Sequence, residues 1–342
     1  MKLIRTEDAV GHVLCHDITQ IIRGVTKDAV FRKGHIVTAE DIPVLLSVGK
    51  EHLYVWEKDE NMLHENEAAQ VLYEVSAGEN MHPTAPKEGK IELIADIDGL
   101  LKIDRLLLRQ INSFGQMMIA SRHGDTPVKK GEKLAGTRVI PLVIEKEKME
   151  AVREMAGARR VFQIIPYQLK TAGVVATGSE VKKGLIQDTF TPVIVSKLAE
   201  YGIETKMTAT PGDDHDAITA EILRMADAGM DMVICTGGMS VDPDDKTPLA
   251  IRNVCGSIVS YGAPVLPGAM FLLAYYGEEQ IPILGLPGCV MYAKRTIFDL
   301  VLPRIMAGEI LKKEDIDSLG EGGYCLNCEV CHFPNCGFGK GV

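Results

Sequence analysis

The stretch Met232-Val233-Ile234-Cys235-Thr236-Gly237-Gly238-Met239-Ser240, continued by Val241-Asp242-Pro243-Asp244-Asp245-Lys246-Thr247-Pro248, decides the fold. Its short apolar run, bounded by turn signals, reads as a strand buried on both faces, as in a parallel sheet. It ends in two glycines, then three aspartates, then a Thr-Pro pair suited to opening a helix. In open α/β sheets ligands gather at the carboxyl ends of the strands. Glycines there let backbone N–H groups approach an anion such as phosphate. Carboxylates beside an anion make chemical sense when a hard cation such as Mg²⁺ lies between them. Taken alone, the loop is better read as a plain strand–turn–helix junction with solvated aspartates, so its neighbours decide.

From about residue 168 those neighbours alternate strand and helix, the pattern of a parallel α/β domain. Ala172-Gly173-Val174-Val175-Ala176 reads as a buried strand ending in Thr177-Gly178-Ser179-Glu180. A helix from about Thr191 places Ile194, Leu198 and Tyr201 on one face. Ile203 to Met207 alternates as a half-exposed strand does, and Asp213-Asp214 stands where an N-cap belongs, before Ile218, Ile222 and Met225. Ile281 to Leu286 is a further strand, ending in Pro287-Gly288, and a helix is expected from about Val290 to Met306.

The 342 residues suffice for two or three domains, and 46% apolar with 25% charged residues is ordinary for a soluble globular chain. A net charge of −10 argues against a general nucleic-acid or membrane-surface binder, whose footprint is basic. The start turns charged before any apolar signal core forms, and no apolar run reaches the ~20 residues of a membrane span, so a cytoplasmic location is expected. Residues 1–57 form a small β-rich unit, with Val10 to Leu14 and His52 to Trp56 as β-prone pieces and a helix from Thr38, its expected N-cap, to Gly49. Residues 58–90 read as a helical connector (Glu60 to Val75, then Pro/Gly punctuation), and 91–167 as a second β-rich unit with a charged helix over 145–157. Lys129-Lys130-Gly131 weakly echoes Arg32-Lys33-Gly34, as a duplicated β-unit would. The α/β domain spans 168–310, and 311–342 is a flexible tail carrying a cysteine cluster.

Taken together, Thr177-Gly178-Ser179-Glu180, Asp188, Asp213-Asp214, Gly237 to Asp245, Pro267-Gly268 and Leu286-Pro287-Gly288 resemble the MoaB/Mog-type molybdopterin-binding domain. That domain is also the catalytic core of the molybdopterin molybdenumtransferases (the MoeA and gephyrin E-domain family). The resemblance covers residues 168–307 with the motifs in the family's order, while the β-rich N-terminal units resemble the transferases more loosely. It implies a three-layer parallel-sheet domain that binds adenylylated molybdopterin and, with Mg²⁺, inserts molybdate and releases AMP. By the same resemblance Thr177, Gly178 and Ser179 with Gly237, Gly238 and Ser240 receive pterin and phosphate, and Glu180, Pro287 and Gly288 complete those loops. Asp188, Asp214 and Asp245 match the family's metal-binding or hydrolytic acids. Lys246, Lys294 and Arg295 stand near enough in sequence to attract the anion. A homodimer, and a molybdoenzyme as recipient, are expected by resemblance only.

Three positions depart from the family. Asp188-Thr189-Phe190 has Phe where an Asn is usual, Leu286-Pro287-Gly288-Cys289 has Cys for Asn, and Asp242 replaces a Gly. Acids and glycines are kept while amides are lost. A binding protein without turnover, serving a molybdoenzyme, and a nucleotide-phosphate hydrolase or adenylyltransferase on the same core are therefore the rival readings.

Cysteines are lopsided. Cys15, Cys235, Cys255 and Cys289 are scattered, as buried or incidental thiols are, whereas Cys325, Cys328, Cys331 and Cys336 crowd one end. Spacing of this kind favours metal over disulfides in a cytosolic chain. Four thiolates suit either tetrahedral zinc or an iron–sulfur cluster. The repeated two-residue spacing leans towards a 4Fe-4S cluster, and zinc sites more often use two separated Cys-x₂-Cys pairs.

Overall fold

The computed structural model describes residues 2–22, 26–55, 60–239 and 245–341. The chain forms two compact units, one of 1–96, 103–121 and 131–163, the other of 97–102, 122–130 and 164–342.

In the first unit, Lys2–Arg5 pairs antiparallel with His52–Val55, and Ile18–Ile22 with Thr26–Phe31. A small core of Ala9, Leu14, Ile18, Val37, Leu45, Leu53 and Val55 closes around the helix Asp41–Ser47. Thr38 is not the cap expected of it. The direction is reversed, because the Asp41 carboxylate accepts from the Thr38 N–H and hydroxyl and pairs with His35. A four-stranded antiparallel sheet runs in the order Met81–Pro83, Lys90–Ala95, Lys133–Val139, Met117–Ser121. The helix Glu65–Ser76 lays Ala68, Ala69, Val71, Leu72 and Val75 on it. It begins five residues later than expected because Met62–His64 is a strand and His64 caps the helix. The helix over 145–157 is present as Lys146–Ala156, ending at Gly157. Gly34 and Gly131, the two echoed turns, both take positive φ, of 87° and 85°.

The second unit is the α/β domain, built from β1 (Thr171–Ala176), α1 (Ser179–Lys182), α2 (Phe190–Ala199), β2 (Glu204–Ala209), α3 (His215–Asp227) and β3 (Met232–Thr236), then α4 (Thr247–Cys255), β4 (Ser260–Tyr261), β5 (Leu272–Tyr276), β6 (Ile281–Leu286), α5 (Ile297–Met306) and α6 (Lys313–Asp317). The sheet order is β2-β1-β3-β6-β5-β4, with β2, β1, β3 and β6 parallel, β5 antiparallel to β6, and β4 antiparallel to β5. Strand alternation sorts the core into two layers. Ala172, Val174, Met232, Ile234, Leu284 and Leu286 meet Ile194 and Leu198 of α2 and Ile297, Phe298 and Val301 of α5. Val175, Val233, Cys235 and Ile283 meet Ile218, Ile222 and Met225 of α3 and Ala250 and Ile251 of α4. This is the expected three-layer arrangement.

Two expectations need correction. No continuous helix runs from Val290 to Met306: a 3-10 turn, Gly288–Met291, is followed by a fresh start at Thr296. The Thr296 hydroxyl accepts from Phe298 N–H while Asp299 accepts from Thr296 N–H, a capping box that fixes the break. The lead into the tail is docked rather than loose. Leu311, Ile316 and Phe338 are buried in the domain core, and Arg304 holds Glu309 and Asp315 at 2.7 and 2.8 Å. Among the described residues no helix is long and apolar enough to cross a membrane.

Candidate functional site

The chain leaves β1 to reach β2 on one side of it, and leaves β3 towards β6 on the other side. The strand order therefore reverses between β1 and β3, which is where open α/β sheets bind ligands. Thr177 and Gly237 follow those two strands directly, and Thr177 N–H donates to Thr236 C=O at 2.7 Å.

The loops there come unusually close. Gly237 has φ of 83°, and a methyl on it would overlap the Thr177 carbonyl oxygen and lie 2.7 Å from the Thr177 hydroxyl. Gly238 has φ of 53°, and a methyl there would fall 3.0 Å from Thr247 Oγ1, 3.3 Å from Thr177 Oγ1 and 3.6 Å from Asp245 Oδ1. The Thr247 hydroxyl donates to Gly237 C=O at 2.9 Å and lies 3.2 Å from the Thr177 hydroxyl. Two hydroxyls and one carboxylate thus face the point where a side chain on Gly238 would begin, and the Thr177 backbone fills the corresponding point at Gly237. Beside it, Thr236 Oγ1 is buried with no hydrogen-bond partner among the described residues. The Tyr261 hydroxyl donates to Met239 C=O at 3.2 Å, and it is held above its ordinary pKa by burial and then by the Asp245 charge.

The other expected site residues are placed as follows. The Asp188 carboxylate accepts from Phe190 and Thr191 N–H at 2.9 and 3.0 Å, so it tethers the start of α2. Asp214 caps α3 through Ala217 N–H at 2.8 Å, and its carboxyl lies below the usual range, chiefly because of that hydrogen bond. Asp213 accepts from Ser179 N–H at 2.6 Å, tying its loop to the Gly178-Ser179 turn. Gly178, at φ of 139°, precedes α1, which contains Ser179 and Glu180. Lys246 is the residue before α4, whose first turn carries Pro248. Ser240, Asp242 and Asp244 lie outside the described residues. Among the described residues, no three His, Cys, Asp or Glu side chains form a metal-holding group, so Asp188, Asp214 and Asp245 do not converge as a set.

Lys294 and Arg295 are committed elsewhere. Lys294 Nζ donates to Glu329 C=O at 2.6 Å, and Arg295 to Glu200 and Asp299 at 3.0 and 2.7 Å. Pro287 and Gly288 follow β6, and a methyl on Gly288 would lie 4.0 Å from Phe190 Cζ. Thus Phe190, one of the two positions that lose an amide, stands over the loop that carries the other, Cys289. Sequence reasoning passed over Thr247 and Tyr261. Thr247 was legible only as a helix opener, and the two-residue strand holding Tyr261 is too short to show a period.

Residues 173–307 match the family described as "Probable molybdopterin binding domain", and residues 3–57 match a domain of unknown function, DUF8806. The CinA-like protein of Mycobacterium avium (strain 104) is 36% identical over 85 residues, covering 25% of this chain and 20% of that protein. The CinA-like protein of Mycobacterium tuberculosis (strain ATCC 25618 / H37Rv) matches to the same extent. The chain therefore spans about a fifth of the length of the curated relatives it matches. Among solved structures, the tungsten cofactor synthesizing protein MoaB from Pyrococcus furiosus is 18% identical, with 41% of this chain and 97% of that one covered and a TM-score of 0.35. A molybdenum cofactor biosynthesis protein from Pyrococcus furiosus is 12% identical over 90% of this chain and 62% of that one, with a TM-score of 0.27. The family match lies within the α/β unit and takes in 135 of the chain's 342 residues.

Proposed function

We propose that this chain binds adenylylated molybdopterin at the ends of β1 and β3 and, with Mg²⁺, inserts molybdate at the dithiolene sulfurs while water cleaves the phosphoanhydride and AMP leaves. The observation that carries the reading is the convergence of Thr177, Gly237, Gly238, Asp245 and Thr247 at the point where strand order reverses. Gly237 and Gly238 carry no side chain to bar a phosphate from the backbone, and the Thr177 hydroxyl supplies a further donor, the Thr247 proton being spent on Gly237 C=O. Mg²⁺ is commonly held by one or two carboxylates together with substrate phosphates rather than by a protein cage. Asp245 suits that pattern, and the ion would offset the charge between its carboxylate and the phosphate. Asp188 and Asp214 act on this reading by positioning the loops from the starts of α2 and α3.

A second reading, binding without turnover in the service of a molybdoenzyme, is favoured by the apolar Phe190 over the Pro287-Gly288 loop. A nucleotide-phosphate hydrolase or adenylyltransferase on the same core is a third. One assay separates them: AMP release from adenylylated molybdopterin with Mg²⁺, with and without molybdate, beside Asp245→Asn. Molybdate-stimulated AMP release that the variant loses is the result expected. Tight binding with no AMP released sinks the insertion reading in favour of the second. AMP release indifferent to molybdate moves the protein to the third.

A further inference from the structure

The cysteine-rich end of the chain is built onto the α/β unit. Leu266 N–H donates to Gly323 C=O and Cys325 N–H to Leu266 C=O, both at 2.8 Å, so the strand-like start of this segment is laid beside the Leu266 loop. Phe338 is buried, Phe333 packs against the same core, and their rings meet edge-on at 6.3 Å. Arg295 lies over the Phe333 ring, 5.2 Å from its centroid, while its guanidinium is anchored by buried Asp299. Arg122 donates to Asn335 Oδ1 at 2.9 Å. These contacts enclose a cavity of about 340 Å³, and all four tail cysteines line it.

Cys325 and Cys336 form its half-buried side and Cys328 and Cys331 its exposed side. Four thiols on one cavity can close on a single ion or on a cluster, and the two differ in the space they need. A zinc–sulfur bond of ~2.3 Å requires four sulfurs ~3.8 Å from one another around one ion. The cavity is roughly ten times the ~30 Å³ that one water occupies in the liquid. Among the described residues no three His, Cys, Asp or Glu side chains form a group that could hold a metal ion, so the thiols must draw in on whichever centre they bind. A cubane cluster gives each of four irons one thiolate and holds the sulfurs further apart. Its core with four thiolates carries net negative charge, and Lys294 and Arg295 line the same cavity.

We infer that Cys325, Cys328, Cys331 and Cys336 bind one [4Fe–4S] cluster in this cavity. Binding releases the four thiol protons and leaves the cluster half-buried, one side open to a redox partner. The break at 292–295 that separates the 3-10 turn from α5 supplies the cationic wall, so the chain runs from the Pro287-Gly288 loop into the cluster site within seven residues. The inference does not rest on which ligand the strand-end loops take.

The test is anaerobic reconstitution of the full chain with equal parts ferrous and ferric iron and sulfide, which supplies the two-Fe(II), two-Fe(III) core without an added oxidant, and separately with zinc alone. About four irons and four sulfides per chain are expected, with a broad visible absorption that bleaches on dithionite and a paramagnetic signal in the reduced protein. Cys331→Ser removes a ligand at an exposed position that contributes little packing, and should lose the absorption while keeping the wild-type far-ultraviolet circular dichroism. Cys255→Ser, outside the tail, should keep the cluster. One tightly held zinc with no cluster formed under iron and sulfide would overturn the inference, as would a chain that retains neither metal.

Discussion

Gly237→Ala tests the close approach of the two strand ends directly. An L-residue in the left-handed region costs ~1–2 kcal/mol. The added methyl would also overlap the Thr177 carbonyl oxygen, a backbone atom that no rotamer change moves aside. Relief requires β1 and β3 to part at their ends, and overpacking of that kind costs ~1–3 kcal/mol. The sum is about 2–5 kcal/mol, which at ~2–4 °C per kcal/mol for a unit of this size lowers Tm by roughly 4–20 °C. Gly229 is the internal control. Its φ is 79°, but a methyl on it has nothing within 4 Å, so Gly229→Ala carries only the conformational cost. Urea unfolding of both variants measures the difference, which should be about 1–3 kcal/mol. Equal losses at the two positions would refute the reasoning, because Gly237 would then be needed for its φ alone.

Asp299 is buried and receives Lys197 Nζ at 2.9 Å and Arg295 at 2.7 Å. Asp299→Ala should cost ~3–5 kcal/mol by stranding the buried Lys197, and a Lys197→Met, Asp299→Leu pair should recover only part of it in denaturant unfolding, because Arg295 and the Thr296 N–H still lose their acceptor. At Asp231, burial pushes the carboxyl up, but hydrogen bonds from Lys170 N–H and from the Thr171 N–H and hydroxyl outweigh it and hold the carboxyl low. The stability this contributes is complete above the unfolded carboxylate range near ~3.9 and is lost as pH falls through the lower folded value. Asp231→Asn should therefore destabilise at neutral pH and flatten the acid limb of a pH–stability curve. Arg304→Leu removes the clamp on Glu309 and Asp315 and should raise proteolytic cleavage near 309–317 by about tenfold, with β-sheet circular dichroism unchanged.

The α/β fold was legible because buried parallel strands and amphipathic helices impose strong periods: Met232 to Thr236 and the Ile218, Ile222, Met225 face read directly. The loops at the strand ends were legible from glycine, since Gly237 and Gly238 stand where backbone approach excludes a side chain. Polar partnerships were not. Sequence cannot show that Asp188 is held by the first N–H groups of α2 or that Lys294 is spent on the carbonyl of Glu329, because those bonds depend on how loops close. Helix breaks set by local capping, as at Thr296, likewise lose to a continuous apolar pattern that runs through them. The tail illustrates the same limit. Its polar, glycine-rich composition suggests looseness, yet a few apolar residues, Leu311, Ile316 and Phe338, suffice to dock it.

The ends of β1 and β3 are the proposed seat of a molybdopterin-type ligand. Equilibrium titration of adenylylated molybdopterin against the full chain, its Asp245→Asn variant and its Gly238→Val variant tests this most directly. Valine at 238 would fill the space bounded by the Thr177 and Thr247 hydroxyls and the Asp245 carboxylate. One site per chain, weakened at Asp245→Asn and abolished at Gly238→Val with the fold intact, is the predicted result. No binding by the wild-type chain, or binding unchanged by valine at 238, would contradict it.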